Sequence, residues 1–380
     1  MIKYGTEVFA ENILNFARQI ANRGTPRMAG ICGFDGFIDA FIQMQSPSTM
    51  DVFGPKVKAA AGMAASYPVH HLGNKFGGNG PLIAVALHDI FCGEVDISYI
   101  GALGKGSVLP IFRDALAGKM KNLYTLAEPA HSDCIEFKDG KIMLSDMRSC
   151  AEVCWERLLE CVGEERMDAL LKESRFIAAV NWGKLIHVGS IWENIAQRLE
   201  ALGVAKKEVV FFMDLAEFEQ RPQQDWLELV KLVGKITVQC HTLLSFNLKE
   251  AWQMAGAFQG DFHGRKTPQD VAELAVFLKK YIDVDRILIH PNDGAACASA
   301  EGCIYVPGPF CQEPLISTGA GDNFGAGCLS GVLSGMDDLG ILLSGVCASG
   351  YFVRTGRSPS YQEIGCLASL WAEGKLPERL

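Results

Sequence analysis

Residues Ile316-Ser-Thr-Gly-Ala-Gly-Asp-Asn-Phe-Gly-Ala-Gly327 run directly into the small, apolar string Cys328-Leu-Ser-Gly-Val-Leu333. The pattern predicts a glycine turn that opens a helix. Gly319, Ala320 and Gly321 leave the backbone bare where the first N–H groups of a helix lack partners within it. Those donors, with the positive end of the helix dipole, make a seat for an anion such as a phosphate. Asp322 sets one carboxylate inside that ring of donors. A charge so placed suits a base that takes the proton of a hydroxyl attacking a held phosphoryl group. Glycines that merely let two helices pack closely are the plainer reading of the same string.

Two common phosphate loops are excluded. A Walker A loop needs Gly-Lys followed by Ser or Thr, whereas Lys105, Lys119 and Lys184 are followed by Gly106, Met120 and Leu185. The spacing of Gly319, Gly321, Gly325, Gly327 and Gly331 is not that of a dinucleotide fingerprint, and Pro314 breaks any strand leading in.

The string resembles the second signature of the ribokinase-like (PfkB-type) carbohydrate kinases, read as Asp-Thr-x-Gly-Ala-Gly-Asp. The resemblance implies that Asp322 is the catalytic base and that Gly319, Ala320 and Gly321 form the anion hole. It implies ATP as phosphoryl donor, Mg²⁺ as cofactor and a sugar or related polyol as acceptor. The family's leading Asp falls on Ile316 and its Thr on Ser317. That Asp often helps to hold a monovalent cation, so potassium activation is not implied here.

Other segments follow in the family's order. Gly33-Phe-Asp-Gly-Phe-Ile-Asp39 follows a first strand, and its carboxylates Asp35 and Asp39 are candidates to grip sugar hydroxyls, with a solvated turn as the alternative. Gly77-Gly-Asn-Gly-Pro81 resembles the Gly-Gly signature at a helix start. It implies substrate contacts from Gly77, Gly78 and Asn79, with Leu82 standing where the family often has Asn. Tyr99-Ile-Gly-Ala-Leu-Gly104 and Met213-Asp214 with Arg221 resemble two further segments. Asn247-Leu-Lys-Glu250 resembles an Asn-x-x-Glu motif, which implies Mg²⁺ held through water, and nucleotide phosphates, near Asn247 and Glu250. A capping box explains the same two residues. His290-Pro-Asn-Asp-Gly294 resembles a nucleotide-side loop that would bring Gly294 to the cofactor, with Pro291 replacing a glycine and His290 read as packed.

The 380 residues carry a net charge of −9, which gives no sign of a nucleic-acid partner. The thirteen cysteines form no CxxC pair and read as reduced thiols, as expected in the cytoplasm. Met1 to Thr6 has no signal-peptide pattern, and no apolar run reaches the roughly eighteen residues of a membrane span.

Periodicity predicts a helix over 7–23 and strands over 29–34, 97–100, 176–180, 209–214, 236–244 and 287–290. Helices are expected over 81–91, 110–119, 191–202, 225–233 and 268–281, and the apolar stretch 341–353 reads as buried helix. This alternation predicts an α/β fold, a doubly wound, mainly parallel sheet flanked by helices. Residues 134–145 read instead as a hairpin turning at Asp139-Gly140, a small β lid or an oligomer contact. The expected organisation is a helical extension over 1–27 and one ribokinase-like domain over 28–380, with lid segments near 37–50 and 123–147 through which a homodimer could form. A nucleoside kinase with an aromatic slot at Phe34, Phe37 and Phe41, or a catalytically silent sugar- or nucleotide-binding regulator, are the rival readings.

Overall fold

A computed structural model describes residues 2–4, 9–21 and 27–380. Ten strands form the main sheet in the order β1 (Ile2–Tyr4), β14 (Gly302–Pro307), β13 (Gly294–Ser299), β12 (Arg286–His290), β11 (His241–Asn247), β10 (Val210–Asp214), β9 (Ser174–Val180), β2 (Met28–Phe34), β5 (Val95–Gly101) and β6 (Asn122–Thr125). Neighbours are parallel except where β13 pairs with β12 and β14. Helices cover both faces, so the inner strands are apolar on both sides, as parallel strands must be. Phe211 and Met213 of β10 enter one core, and Val210 and Phe212 enter the other.

Four strands make the lid in the order β4 (Val69–Gly77), β3 (Phe37–Met44), β7 (Ala130–Phe137) and β8 (Gly140–Asp146). Phe37 lies beside Gly77 on one side and Ala130 on the other, while Asp146 faces His131. The lid therefore reaches residue 77, beyond the expected 37–50 and 123–147. The hairpin turn falls at Lys138-Asp139, one residue earlier than predicted, because Phe137 pairs with Gly140. The Asp139 carboxylate accepts from the Met50 N–H at 2.8 Å and fastens the turn to the helix Met50–Ala59.

The helix predicted over 7–23 is observed as Phe9–Ala21, its remaining positions lying outside the described residues. It is no loose extension. Ile13, Phe16, Ala17 and Ile20 are buried in the same core as Tyr361 and Ile364 of the last helix, Tyr361–Ala372. One strand prediction fails. Residues 236–239 belong to the helix Gln223–Gln239, and the strand begins only at His241. Val238, which strand alternation would place with Ile236, is 58% exposed, and the Thr237 hydroxyl donates to the Val233 carbonyl one helical turn back.

The glycines of the string divide between packing the helix and shaping the turn that opens it. Ala320–Leu333 is a helix. A Cβ on Gly327 would lie 2.5 Å from the Ser344 carbonyl, so that glycine lets the helix pack on Asp338–Thr355. Gly319 instead caps the helix in the left-handed conformation, φ 97°, and shapes the turn.

Candidate active site

The carboxyl ends of adjacent strands β12, β11, β10, β9 and β2 lead to His290, Asn247, Asp214, Asn181 and Asp35. Ligands of open α/β sheets bind at this edge. Two cavities lie there, on either side of the Ser317–Gly321 turn. One, of about 370 Å³, is walled by Asp39, Asn79, Asn181, Lys184, Thr318 and Asp322 among others. The other, of about 510 Å³, is walled by Asn247, Gly294, Ser317, Ala320 and Gly321, with Val346 and Gly350 opposite. Asp322 and Thr318 face the first, while the backbone of the turn faces the second.

Asp322 occupies the first turn of its helix. Its Oδ1 accepts from Asn79 Nδ2 at 2.9 Å, which aims the carboxylate into the smaller cavity. Desolvation holds Asp322 well above the usual carboxylate range, Asp214 and Asp35 push the same way, and the Asn79 bond opposes them. A base raised in this way is better matched to a proton from a hydroxyl.

Fewer amides of the turn are free than the expected anion hole required. The Ala320 N–H donates to the Ser317 carbonyl at 3.1 Å, closing the turn, and is not free. Gly319 and Gly321 carry the N–H groups that make no hydrogen bond among the described residues. Asn323 Nδ2 holds the Gly319 carbonyl at 3.0 Å from behind. His290 packs its ring 4.7 Å from that of Phe324, beside Gly321, and burial pushes it down to about 4. It is therefore neutral, and it lines the larger cavity as well as packing on Phe324.

The predicted sugar contacts divide. Asp39, 7% exposed, lines the smaller cavity. Burial raises its pKa, while the Lys141 ammonium opposes the rise. Gly78 and Asn79 line the same cavity. Gly77 stands behind, where a Cβ would come within 2.2 Å of Asp39 Oδ2. Asp35 is not a cavity-wall residue. It is fully buried, its carboxylate accepting from the Gly80 N–H at 2.8 Å, the Asn79 N–H at 2.9 Å and Asn181 Nδ2 at 2.6 Å. With both oxygens engaged, it anchors the helix carrying Asn79 rather than meeting a ligand. Of Phe34, Phe37 and Phe41, Phe37 lines the smaller cavity, whereas Phe34 is fully buried in the core and Phe41 lies under Lys75 on the lid, so the three do not form one slot.

Asn247 and Glu250 form the capping box, and Asn247 also stands at the larger cavity. Glu250 N donates to Asn247 Oδ1 at 2.9 Å, and Asn247 N to Glu250 Oε2 at 2.9 Å. Asn247 reaches the cavity wall while Glu250 is buried behind it. Burial raises both Glu250 and Asp214; the Asp214 charge presses Glu250 further up, and the Asp35 charge does the same to Asp214. A buried carboxylate pressed by a second, half-buried one, with the Asn247 side chain at the cavity wall, fits a hydrated divalent cation. Gly294 lines the same cavity, and Pro291 stands there too.

Three polar residues escaped the sequence reading. Lys141, on the lid strand β8, donates to Thr318 Oγ1 at 2.7 Å, beside the glycine turn. Lys184 pairs with Glu217 at 3.2 Å in the smaller cavity. Asn181, at φ 63°, directly follows β9 and is 2% exposed, with Oδ1 unpartnered. A polar residue placed just after an apolar strand, as Asp35 follows β2, was the available signal for Asn181.

A family model described as prokaryotic ketohexokinase matches residues 13–371. The chain belongs to that family. A ketohexokinase of Haloferax volcanii is 24% identical over 355 residues, covering 89% of this chain and 90% of that protein. Among solved structures, a ribokinase of Arabidopsis thaliana complexed with ribose and ATP superposes with a TM-score of 0.65 at 13% identity, over 90% of this chain and 99% of its own. A putative ribokinase II of E. coli in complex with ATP and Mg²⁺ gives 0.61 at 14% identity, over 90% and 98%. An adenosine kinase of Sinorhizobium meliloti gives 0.58 at 16%, over 87% and 94%. The chain is thus a ribokinase-like carbohydrate kinase, and it spans nearly the full length of these relatives. No described helix is long and apolar enough to cross a membrane.

Proposed function

We propose that the protein moves the γ-phosphoryl group of ATP to a hydroxyl of a ketohexose, with Asp322 as general base. The observation that carries this reading is the pair of cavities meeting at one helix turn, with Asp322 on one side and Gly321, whose amide makes no hydrogen bond among the described residues, on the other. The acceptor sits in the smaller cavity, gripped by Asp39 and Asn79. Its hydroxyl proton passes to the Asp322 carboxylate as the oxygen forms a bond to the γ-phosphorus. The bond from that phosphorus to the bridging oxygen breaks, and its electron pair leaves with ADP. The Gly319 and Gly321 amides hold the equatorial oxygens as charge develops on them. Asn247, Glu250 and Asp214 would hold Mg²⁺ through water, and the ion supplies positive charge to the ATP phosphates. Lys141 brings one further cation to the turn when the lid lies as it does here. Closure of the lid over the smaller cavity excludes water, which limits ATP hydrolysis.

The test is turnover with ATP and Mg²⁺ against ketohexoses, aldopentoses and nucleosides, with the product read by ³¹P NMR. A ketohexose phosphate ester is expected at the highest kcat/KM. Preference for a nucleoside would overturn the acceptor assignment, and ATP consumption without any ester would overturn the transfer itself.

A further inference from the structure

The opposite edge of the main sheet carries a third cavity, of about 530 Å³. It lies at the amino ends of the same strands whose carboxyl ends build the active site. Met28, Val210, His241 and Arg286 are the first residues of β2, β10, β11 and β12, and Arg175 is the second of β9. Four permanent cations stand in its wall, Arg27, Arg175, Lys207 and Arg286, against one carboxylate, Glu208. In a chain of net charge −9 this is a local reversal of sign. Carboxylates offset three of these four cations and leave an excess of one. Arg175 pairs with Glu208 at 2.7 Å, Lys207 with Asp285 at 2.9 Å and Arg286 with Asp338 at 2.7 Å. Arg27 makes no ion pair among the described residues.

The floor is apolar, made by Met28, Val210, Leu333 and Met336. His241 Nε2 faces the Arg286 guanidinium at 2.5 Å, so the ring nitrogen must accept there. Burial lowers the His241 pKa, Arg286 and Lys207 lower it further, and Asp285 and Asp338 oppose them. A phosphate seated among these cations would be held by charge-assisted hydrogen bonds, and an apolar body would cover the floor.

We propose that this cavity is a second ligand site, which binds an organic phosphate through Arg27, Arg175, Lys207 and Arg286. The helix Ala320–Leu333 connects the two ends of the molecule: its first turn carries Asp322, and its last residues, Val332 and Leu333, line the cavity.

The His241 ring resonances offer a direct test by NMR, at fixed ionic strength, in protein whose active site is filled with Mg²⁺ and a non-hydrolysable ATP analogue. Inorganic phosphate and phenyl phosphate are the probes. Both should shift the His241 signals saturably and raise its pKa. Phenyl phosphate should bind roughly tenfold more tightly, because its ring covers the floor. Arg27→Gln with Arg175→Gln, both at exposed positions, should weaken phenyl phosphate by roughly tenfold or more, and Lys207→Gln should weaken it separately. A linear, unsaturated shift, or equal affinity in these variants, overturns the site. Equal affinity for the two probes overturns its assignment to an organic phosphate.

Discussion

The two cavities that meet at the glycine turn are built from different materials. The smaller one has Asp39, Asp322, Lys184 and Glu217 in its wall. The larger one has no Asp, Glu, Lys or Arg among its wall residues, although it is the side assigned to the most highly charged reactant. Its polar side chains are those of Asn247, His290, Asn292, Gln312, Ser317 and Ser349. The difference follows from what each side must recognise. A polyol is distinguished by hydroxyl positions, which fixed charged side chains read. A polyphosphate needs positive potential of less specific shape, which a helix start and a cation supply. On the proposed reading, side chains set acceptor choice, while backbone geometry serves the donor.

The largest test of this division is Asp322→Asn, which keeps shape and removes the proton acceptor. It should lower kcat by about two orders of magnitude or more while leaving the affinity for an ATP analogue unchanged. Near-normal turnover would falsify the base assignment, and lost nucleotide binding would erase the division itself. Asp39→Asn should raise the acceptor KM by about ten- to a hundredfold, from loss of a charge-assisted bond, with ATP KM unmoved. An unchanged acceptor KM would remove Asp39 from the grip. Glu250→Gln should raise the Mg²⁺ concentration for half-maximal activity by about tenfold. If the titration curve does not move, Asn247 and Glu250 are only a capping box.

A smaller effect concerns pH. Asp214 helps to raise Asp322, so Asp214→Asn favours the ionised base and lowers its pKa. The acid limb of kcat/KM, measured at saturating Mg²⁺, should then move to lower pH. A limb that stays in place or moves upward would show that Asp214 does not act on the base. The smallest effect is on monovalent ions. Ile316 brings no side-chain oxygen to the turn, so replacing Na⁺ by K⁺ at fixed ionic strength should change activity by less than about twofold. Strong, saturable K⁺ activation would mean that backbone carbonyls build a cation site there.

Legibility in the sequence followed the same division. Asp322, Asp39 and the Asn247–Glu250 pair could be singled out as candidates because a polar or charged side chain in a motif carries its own chemistry, and the fold places Asp322, Asp39 and Asn247 at the cavities. What was misread depended on tertiary contacts. Asp35 looked like a substrate ligand, but only the fold brings it the Gly80, Asn79 and Asn181 donors that occupy its carboxylate. Ala320 looked like part of the anion hole until the turn placed its amide on Ser317. Most inner strands were found from their continuous apolar runs. β4 was missed because residues 69–75 are all exposed, so no inside–outside alternation exists to read. β13, Gly-Ala-Ala-Cys-Ala-Ser, was missed because small residues carry little strand preference, although all but the last are buried. Lys141 lay in a hairpin recognised as a lid, but its reach to Thr318 spans 177 positions of sequence and needed coordinates.

The lid's attachment constrains how it can move. Phe37, Gly77, Ala130 and Asp146 lie nearly side by side at one end of the four-stranded sheet, and each is within a few residues of the larger body of the protein. Two residues separate β2 from β3, and one separates β4 from the helix Asn79–Ile90. The lid is thus bound along one edge, as a cover is bound at its spine. Sliding or twisting would stretch some of these tethers and slacken others, which leaves a single swinging degree of freedom about that row. Its free edge can rise from the turn, but on return Lys141 has one place to land.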